Sequence, residues 1–183
     1  MRGTRSIGLA VCLLLGVQLY ALPVQWPSSA GGNDHWYELY PTYLQWEDLN
    51  VLATSLSYLG MPGYIVTIQS QAENDFLFQT FFGMTDQFWI GYSDAVQEGS
   101  WVWSTGEPTT YTHWSPSEPN DLNGEDYAVF VLAYDHPSFW NDVGADAYQL
   151  GVVEYGSVPE PATILLTIGG ALLAKWKSQR IRS

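Results

Sequence analysis

The chain has 183 residues, 46% apolar and 15% aromatic, enough for one sizeable core but short for two independent domains. All six basic residues (Arg2, Arg5, Lys175, Lys177, Arg180 and Arg182) lie in the terminal segments, while residues 6–174 carry all 19 carboxylates. That balance argues against a nucleic acid partner and leaves an acidic repulsion that no Lys or Arg can relieve. Two readings stand, a soluble acidic surface without metal and a surface neutralised by bound cations.

Arg2 and Arg5 precede an apolar stretch over residues 7–17, and Ala21 supplies a cleavage point, so residues 1–21 read as a signal peptide. Cys12, the only cysteine, lies inside it, so the mature chain has no disulfide and depends on packing or metal for its stability. Residues 22–32 are rich in Pro, Ser and Gly and read as a linker. Leu49, Leu52, Ala53 and Leu56 recur at helical spacing, which predicts an amphipathic helix over residues 42–58 stopped by Gly60. Residues 64–68 read as a short buried strand. Ser70 and Glu73 form a capping-box pattern that opens a second helix, with Ala72, Phe76 and Phe81 on one face and Gly83 at its end. From Phe88 the chain turns to short aromatic-rich runs (88–92, 100–104, 127–133 and 149–155) separated by Gly, Pro, Asp and Asn, the pattern of antiparallel strands with long loops. Two helices followed by a sheet make an α+β domain, with no internal repeat.

Within that second half, Glu118, Asn120 and Glu125 share one loop, and Asn141 with Asp142 sits at the start of a strand some 20 residues on. Calcium takes six to eight oxygen ligands and accepts carboxylates mixed with amide carbonyls, which is the mixture these five residues offer. Three carboxylates and two amides leave coordination places open. Pro119 has two readings, an ordinary trans turn or a cis bond that turns the Glu118 and Asn120 oxygens toward one point, and the flanking residues favour the second. Trp46, Trp89, Trp101 and Trp103 are read as core; Trp114, Tyr134 and His136 lie nearer the loop.

Taken in order, Trp46-Glu47-Asp48-Leu49, Trp89-Ile90-Gly91, Trp101-Val102-Trp103, Glu118-Pro119-Asn120 and Trp140-Asn141-Asp142 resemble the C-type lectin-like domain, over residues 33–156. The resemblance implies two helices plus antiparallel sheets and a long calcium-binding loop region. It also implies that Glu118, Asn120, Glu125, Asn141 and Asp142 hold a calcium ion whose open places take the vicinal hydroxyls of a sugar, the same side chains bonding those hydroxyls. Binding without catalysis follows, and Glu-Pro-Asn, rather than Gln-Pro-Asp, implies mannose-type sugars. Asp94, Glu98, Asp121 and Asp126 match the positions of an auxiliary calcium, so one or two ions are expected. The half-cystines usual in that family fall at Ala53, Val153, Tyr127 and Ala145 by motif spacing, and none is a cysteine here. The loop from Asn120 to Glu125 is about one residue shorter than in well-known vertebrate members.

Beyond the domain, Val158-Pro159-Glu160-Pro161 is followed by an apolar run over residues 162–174 and a basic end. Thirteen apolar residues fall short of the roughly 17–25 of a stable membrane span. A core-packed C-terminal helix is one reading. The other is that residues 158–183 resemble the PEP-CTERM sorting signal, which implies an exosortase as processing partner, transient membrane association, and export to the cell envelope, cell surface or exopolysaccharide matrix. The expected function is a calcium-dependent carbohydrate-binding protein whose partner is a glycan or exopolysaccharide. The alternative is a structural or protein-interaction module that binds no sugar. A glycosidase using paired carboxylates is the enzyme reading, set aside because those carboxylates suit metal ligation better.

Overall fold

The computed structural model describes residues 22–132 and 138–157. Residues 1–21, read above as a signal peptide, residues 158–183, read as resembling a PEP-CTERM segment, and Tyr134 and His136 lie outside the described residues. No helix among the described residues is long and apolar enough to cross a membrane.

The chain enters through β1 (Val24–Gln25), a 3-10 turn (Ser28–Ala30) and β2 (Trp36–Leu44), continues through α1 (Trp46–Ser55), β3 (Ser57–Tyr58), β4 (Met61–Ile65) and α2 (Gln71–Phe81), and then runs as β5 (Gln87–Ser93), β6 (Val102–Trp103), β7 (Tyr127–Val131), β8 (Trp140–Val143) and β9 (Gln149–Tyr155). The central path of the sheet is β1-β2-β9-β5-β7-β8. The expected two helices and sheet are present, but the sheet is mixed rather than wholly antiparallel, because β5 and β9 pair in parallel, Phe88 opposite Leu150. The core divides into two clusters. One, around Leu49, Ala53, Ile65, Trp89 and Val153, lies against α1; the other, around Tyr37, Leu77, Phe88, Phe130 and Trp140, lies against α2.

Several expectations are corrected. Residues 22–32 are not a linker: β1 pairs with the start of β2, and Trp26 is buried, its ring stacked 5.4 Å from Phe76 of α2. Residues 42–44 end a strand instead of starting a helix. The shift in the β2–β9 register between Tyr40 and Leu44 spans Pro41, which has no N–H to give the ladder. Gly60 does not stop α1, which has already ended at Ser55. It forms with Leu59 the two-residue turn of the β3–β4 hairpin, both at positive φ (51° and 83°), where a left-handed pair matches the twist of the strands. On α2 the Ser70 hydroxyl accepts from Glu73 N as the capping pattern predicts, but the buried face is Glu73, Asn74, Leu77 and Phe81, and Ala72 is exposed. Trp46, Trp89 and Trp103 are core, whereas Trp101 is half-buried.

The motif residues have structural reasons. Trp46 Nε1 donates to the Ile90 carbonyl at 2.8 Å, and Trp89 Nε1 to the Leu44 carbonyl at 2.8 Å, so two indoles fasten the start of α1 to the central strand. Gly91 admits the backbone of residues 65–66; a Cβ there would stand 2.7 Å from the Ile65 oxygen. Ala53 and Val153 are fully buried in one cluster, so packing occupies the place where the resemblance puts a disulfide.

Candidate metal centre and sugar site

The site is built on the loop between β6 and β7, which β8 holds in place. Trp140 N donates to the His113 carbonyl and Ser115 N to the Trp140 carbonyl, both at 2.8 Å, so the loop runs as a short strand against the start of β8. Trp140 is fully buried, and its Nε1 donates to Asn74 Oδ1 at 2.9 Å. This anchoring sets residues 118–121 beside residues 141–142. Ser117, Asp121 and Asn123 all take positive φ, with Gly124 following, and so fold the loop back within a few residues.

The Glu118-Pro119 bond is cis, and the Asn120 amide donates to the Glu118 carboxylate. Asp142 Oδ2 accepts from Asn120 N at 3.0 Å and from Asp121 N at 2.8 Å, so this one carboxylate organises the loop. Glu125 Oε2 accepts from Leu122 N, and Glu125 N donates to Asp121 Oδ1. Asn141 is half-buried next to Asp142, its Nδ2 donating to the Asp142 carbonyl. Desolvation, and then contact with the Asp142 carboxylate, holds Glu118 above the ordinary glutamate range; desolvation and the charge of Asp142 do the same at Glu125. Four of the five expected principal ligands are thus tied to one another by hydrogen bonds or felt charge, and Asn141 flanks them in β8.

Of the auxiliary set, Asp94, Glu98 and Asp126 bring ligand oxygens within 4.8 Å of one another. Asp94 is 2% exposed, its Oδ2 accepting from Gly99 N at 2.8 Å. Burial, with the charges of Asp126 and Asp121, pushes its pKa up. Asp121 lies close enough for its charge to reach Asp94, while its Oδ1 is engaged by Glu125 N.

Each position also carries an unfinished oxygen. Asp94 Oδ1 and Asp142 Oδ1 are buried with no hydrogen-bond partner among the described residues. A buried carboxylate oxygen without a donor is costly, and no Lys or Arg occurs between residues 6 and 174 to supply one. The donor set, all hard oxygens, fits calcium. Sequence reasoning missed the backbone donors of Asn120 and Asp121, which make Asp142 an organiser of the loop as well as a ligand candidate. Trp140 immediately before Asn141 and Asp142 was the available signal, since a buried indole next to two polar side chains fixes where they sit.

Comparison with known proteins identifies the family and the fold. The family model described as the Lectin C-type domain matches residues 59–152. Halomucin from Haloquadratum walsbyi is 31% identical over 160 residues, 75% of this chain but 2% of its own length. Lectin BRA-3 from Megabalanus rosa is 36% identical over 99 residues, 54% of this chain and 56% of that protein, so the chain spans only part of these two relatives. Among solved structures, the C-type lectin CEL-I from Cucumaria echinata superposes with a TM-score of 0.61 at 28% identity, covering 68% of this chain and 92% of that one. With half the chain matched by the family model and the fold shared along nearly the whole length of a solved lectin, the chain belongs to the C-type lectin domain family.

Proposed function

We propose that this protein is an exported, calcium-dependent carbohydrate-binding module with a preference for mannose-type sugars. The observation that carries the proposal is the convergence of Glu118, Asn120 and Glu125 of one loop with Asp142 of β8, a buried Asp142 oxygen being left unpaired. Glu118, Asn120, Glu125, Asn141 and Asp142 would hold the principal ion, and Asp94, Glu98 and Asp126, with Asp121 beside them, a second. Calcium, when bound, supplies open coordination places for vicinal hydroxyls. The chain's own side chains orient the sugar, because a carboxylate or amide has a second lone pair or an N–H to spare for a hydroxyl. Glu118-Pro119-Asn120 supports mannose-type sugars, through the family pattern. Membership of the lectin family agrees with binding rather than turnover, and one relative, 26% identical over 115 residues, is named as an alpha-N-acetylgalactosamine-specific lectin of Patiria pectinifera.

The signal-peptide pattern and the PEP-CTERM segment support export to the cell envelope or exopolysaccharide matrix, with an exosortase as processing partner and a brief stay in the membrane. Mass spectrometry of the exported protein is expected to show a chain beginning at Leu22 and lacking the residues after the motif. For binding, the intact chain applied to immobilised mannose in calcium is expected to be retained and to elute with EDTA. Retention that persists in EDTA would refute the calcium half of the proposal. A blank glycan array with calcium present would favour the structural or protein-interaction module instead.

A further inference from the structure

Away from the calcium loop, two carboxylates are buried side by side. Glu73 of α2 is 4% exposed and Glu154 of β9 is 1% exposed. All four of their oxygens are satisfied. Tyr37 OH donates to Glu73 Oε1 at 2.7 Å and lies 3.3 Å from Glu154 Oε1; Gln69 N donates to Glu73 Oε2 at 2.9 Å and Thr67 N to Glu154 Oε2 at 3.1 Å. His35 Nδ1 sits 2.6 Å from Glu154 Oε1, and Asn33 Nδ2 donates to Tyr37 OH at 2.7 Å. A cavity of about 400 Å³ lined by Trp26, Asn33, His35, Glu73, Glu107 and Glu154 gives the network access to solvent.

The proton count of this network is short by one. Tyr37 has a single hydroxyl proton for two carboxylates, and His35 contributes at most one positive charge. With no Lys or Arg between residues 6 and 174, full ionisation leaves one buried negative charge without a counterion. Of the remaining ionisable neighbours, Glu107, which faces the same cavity from the loop after β6, and Asp34, which precedes His35 in the chain, add negative charge, while Tyr64 OH, 3.4 Å from His35 Nδ1, is held neutral by burial and offers no counterion. One bound proton removes the excess.

These residues also join three separate elements. Asn33 and His35 belong to the segment leading into β2, Glu73 to α2, and Glu154 to β9, the last strand. Gly156 packs directly on the His35 ring, where a Cβ would come within 2.3 Å of Nδ1. We propose that Asn33, His35, Tyr37, Glu73 and Glu154 form a proton-operated latch that holds residues 24–35 against α2 and β9 at mildly acidic pH and loosens them as the pH rises.

Burial first, and then the charge of Glu154, holds the Glu73 carboxyl at about 7, above its ordinary 4.5. The bond to Glu154 raises His35 above its ordinary value, against an opposing effect of burial. Both groups bind protons more tightly in the folded than in the unfolded chain, so both stabilise the fold at low pH. The Glu73 contribution is lost as the pH rises from about 4.5 to about 7. That of His35 is complete below 6.5 and is lost as the pH passes its raised folded value.

Hydrogen exchange of the intact chain in EDTA, corrected for the intrinsic rate, tests this between pH 5.5 and 8.5. Protection of residues 24–37 is expected to fall roughly tenfold or more across that range, while β5 and β7 keep theirs. Glu73→Gln, which fixes the neutral form, is expected to flatten the dependence. Wild-type protection that does not change with pH, or an equal slope in the variant, overturns the latch. Should the variant fail to fold, imidazole titration of the wild type decides: His35 is expected to titrate above His113, whose burial lowers its pKa, and the reverse order overturns the proposal.

Discussion

Two groups of acidic residues in this protein meet the same problem in opposite ways. At Glu73 and Glu154 the carboxylates are buried, and every oxygen has a donor from within the chain: Tyr37, His35, Gln69 N and Thr67 N. On the loop of residues 118–126 and at Asp94 the carboxylates are crowded, yet Asp94 Oδ1 and Asp142 Oδ1 are buried without a partner. Burying a carboxylate is tolerable when the chain supplies the compensating groups. Where the chain supplies them only in part, the unfinished oxygens are those the proposed cation would complete, so that the same residue type would serve as scaffold in one region and as ligand in the other.

The largest effect should come from the residue that combines both roles. Asp142→Ala removes a proposed ligand and the acceptor for Asn120 N and Asp121 N; calcium affinity is expected to fall by roughly two orders of magnitude, the loss of one charge-assisted contact of about 3 kcal/mol, as read by calorimetry. In the self-satisfied region, Tyr37→Phe should lower stability by about 1–3 kcal/mol in chemical unfolding with EDTA while leaving calcium affinity unchanged; a large change in calcium affinity would erase the distinction between the two regions. Asp94→Asn is expected to weaken a second calcium by about tenfold and to spare retention on mannose, and equal weakening of both ions would merge the two cation positions into one. Smallest, Ser70→Ala removes the cap of the helix that carries Glu73 and should cost about 1 kcal/mol without touching calcium or sugar.

The clustering of the loop carboxylates and amides was readable in the sequence because the motif residues are also structural: Trp46, Trp89 and Gly91 make contacts that fix their spacing, and Trp140 anchors the strand bearing Asn141 and Asp142. The cis bond before Pro119 followed from that proline and its polar neighbours. β2 was hidden because its exposure does not alternate cleanly and Pro41 interrupts its ladder. Residues 22–32 looked like a linker from composition, but β1 pairs with β2 and the Trp26 ring stacks on Phe76 of α2. Of the Glu73–Glu154 pair, Glu73 showed only as a capping residue and Glu154 only as a glutamate inside the apolar run Val152-Val153-Glu154-Tyr155. Its partner lies on a helix and its donors on three other segments, and a one-dimensional pattern does not bring these together.

The most direct test of calcium-dependent sugar recognition is titration calorimetry of the intact chain with calcium and then mannose, repeated with Glu118→Ala. The account predicts one or two bound calcium ions, mannose binding only after calcium is added, and loss of the principal ion in the variant. Calcium binding untouched by Glu118→Ala, or mannose binding of equal strength in EDTA, would contradict it.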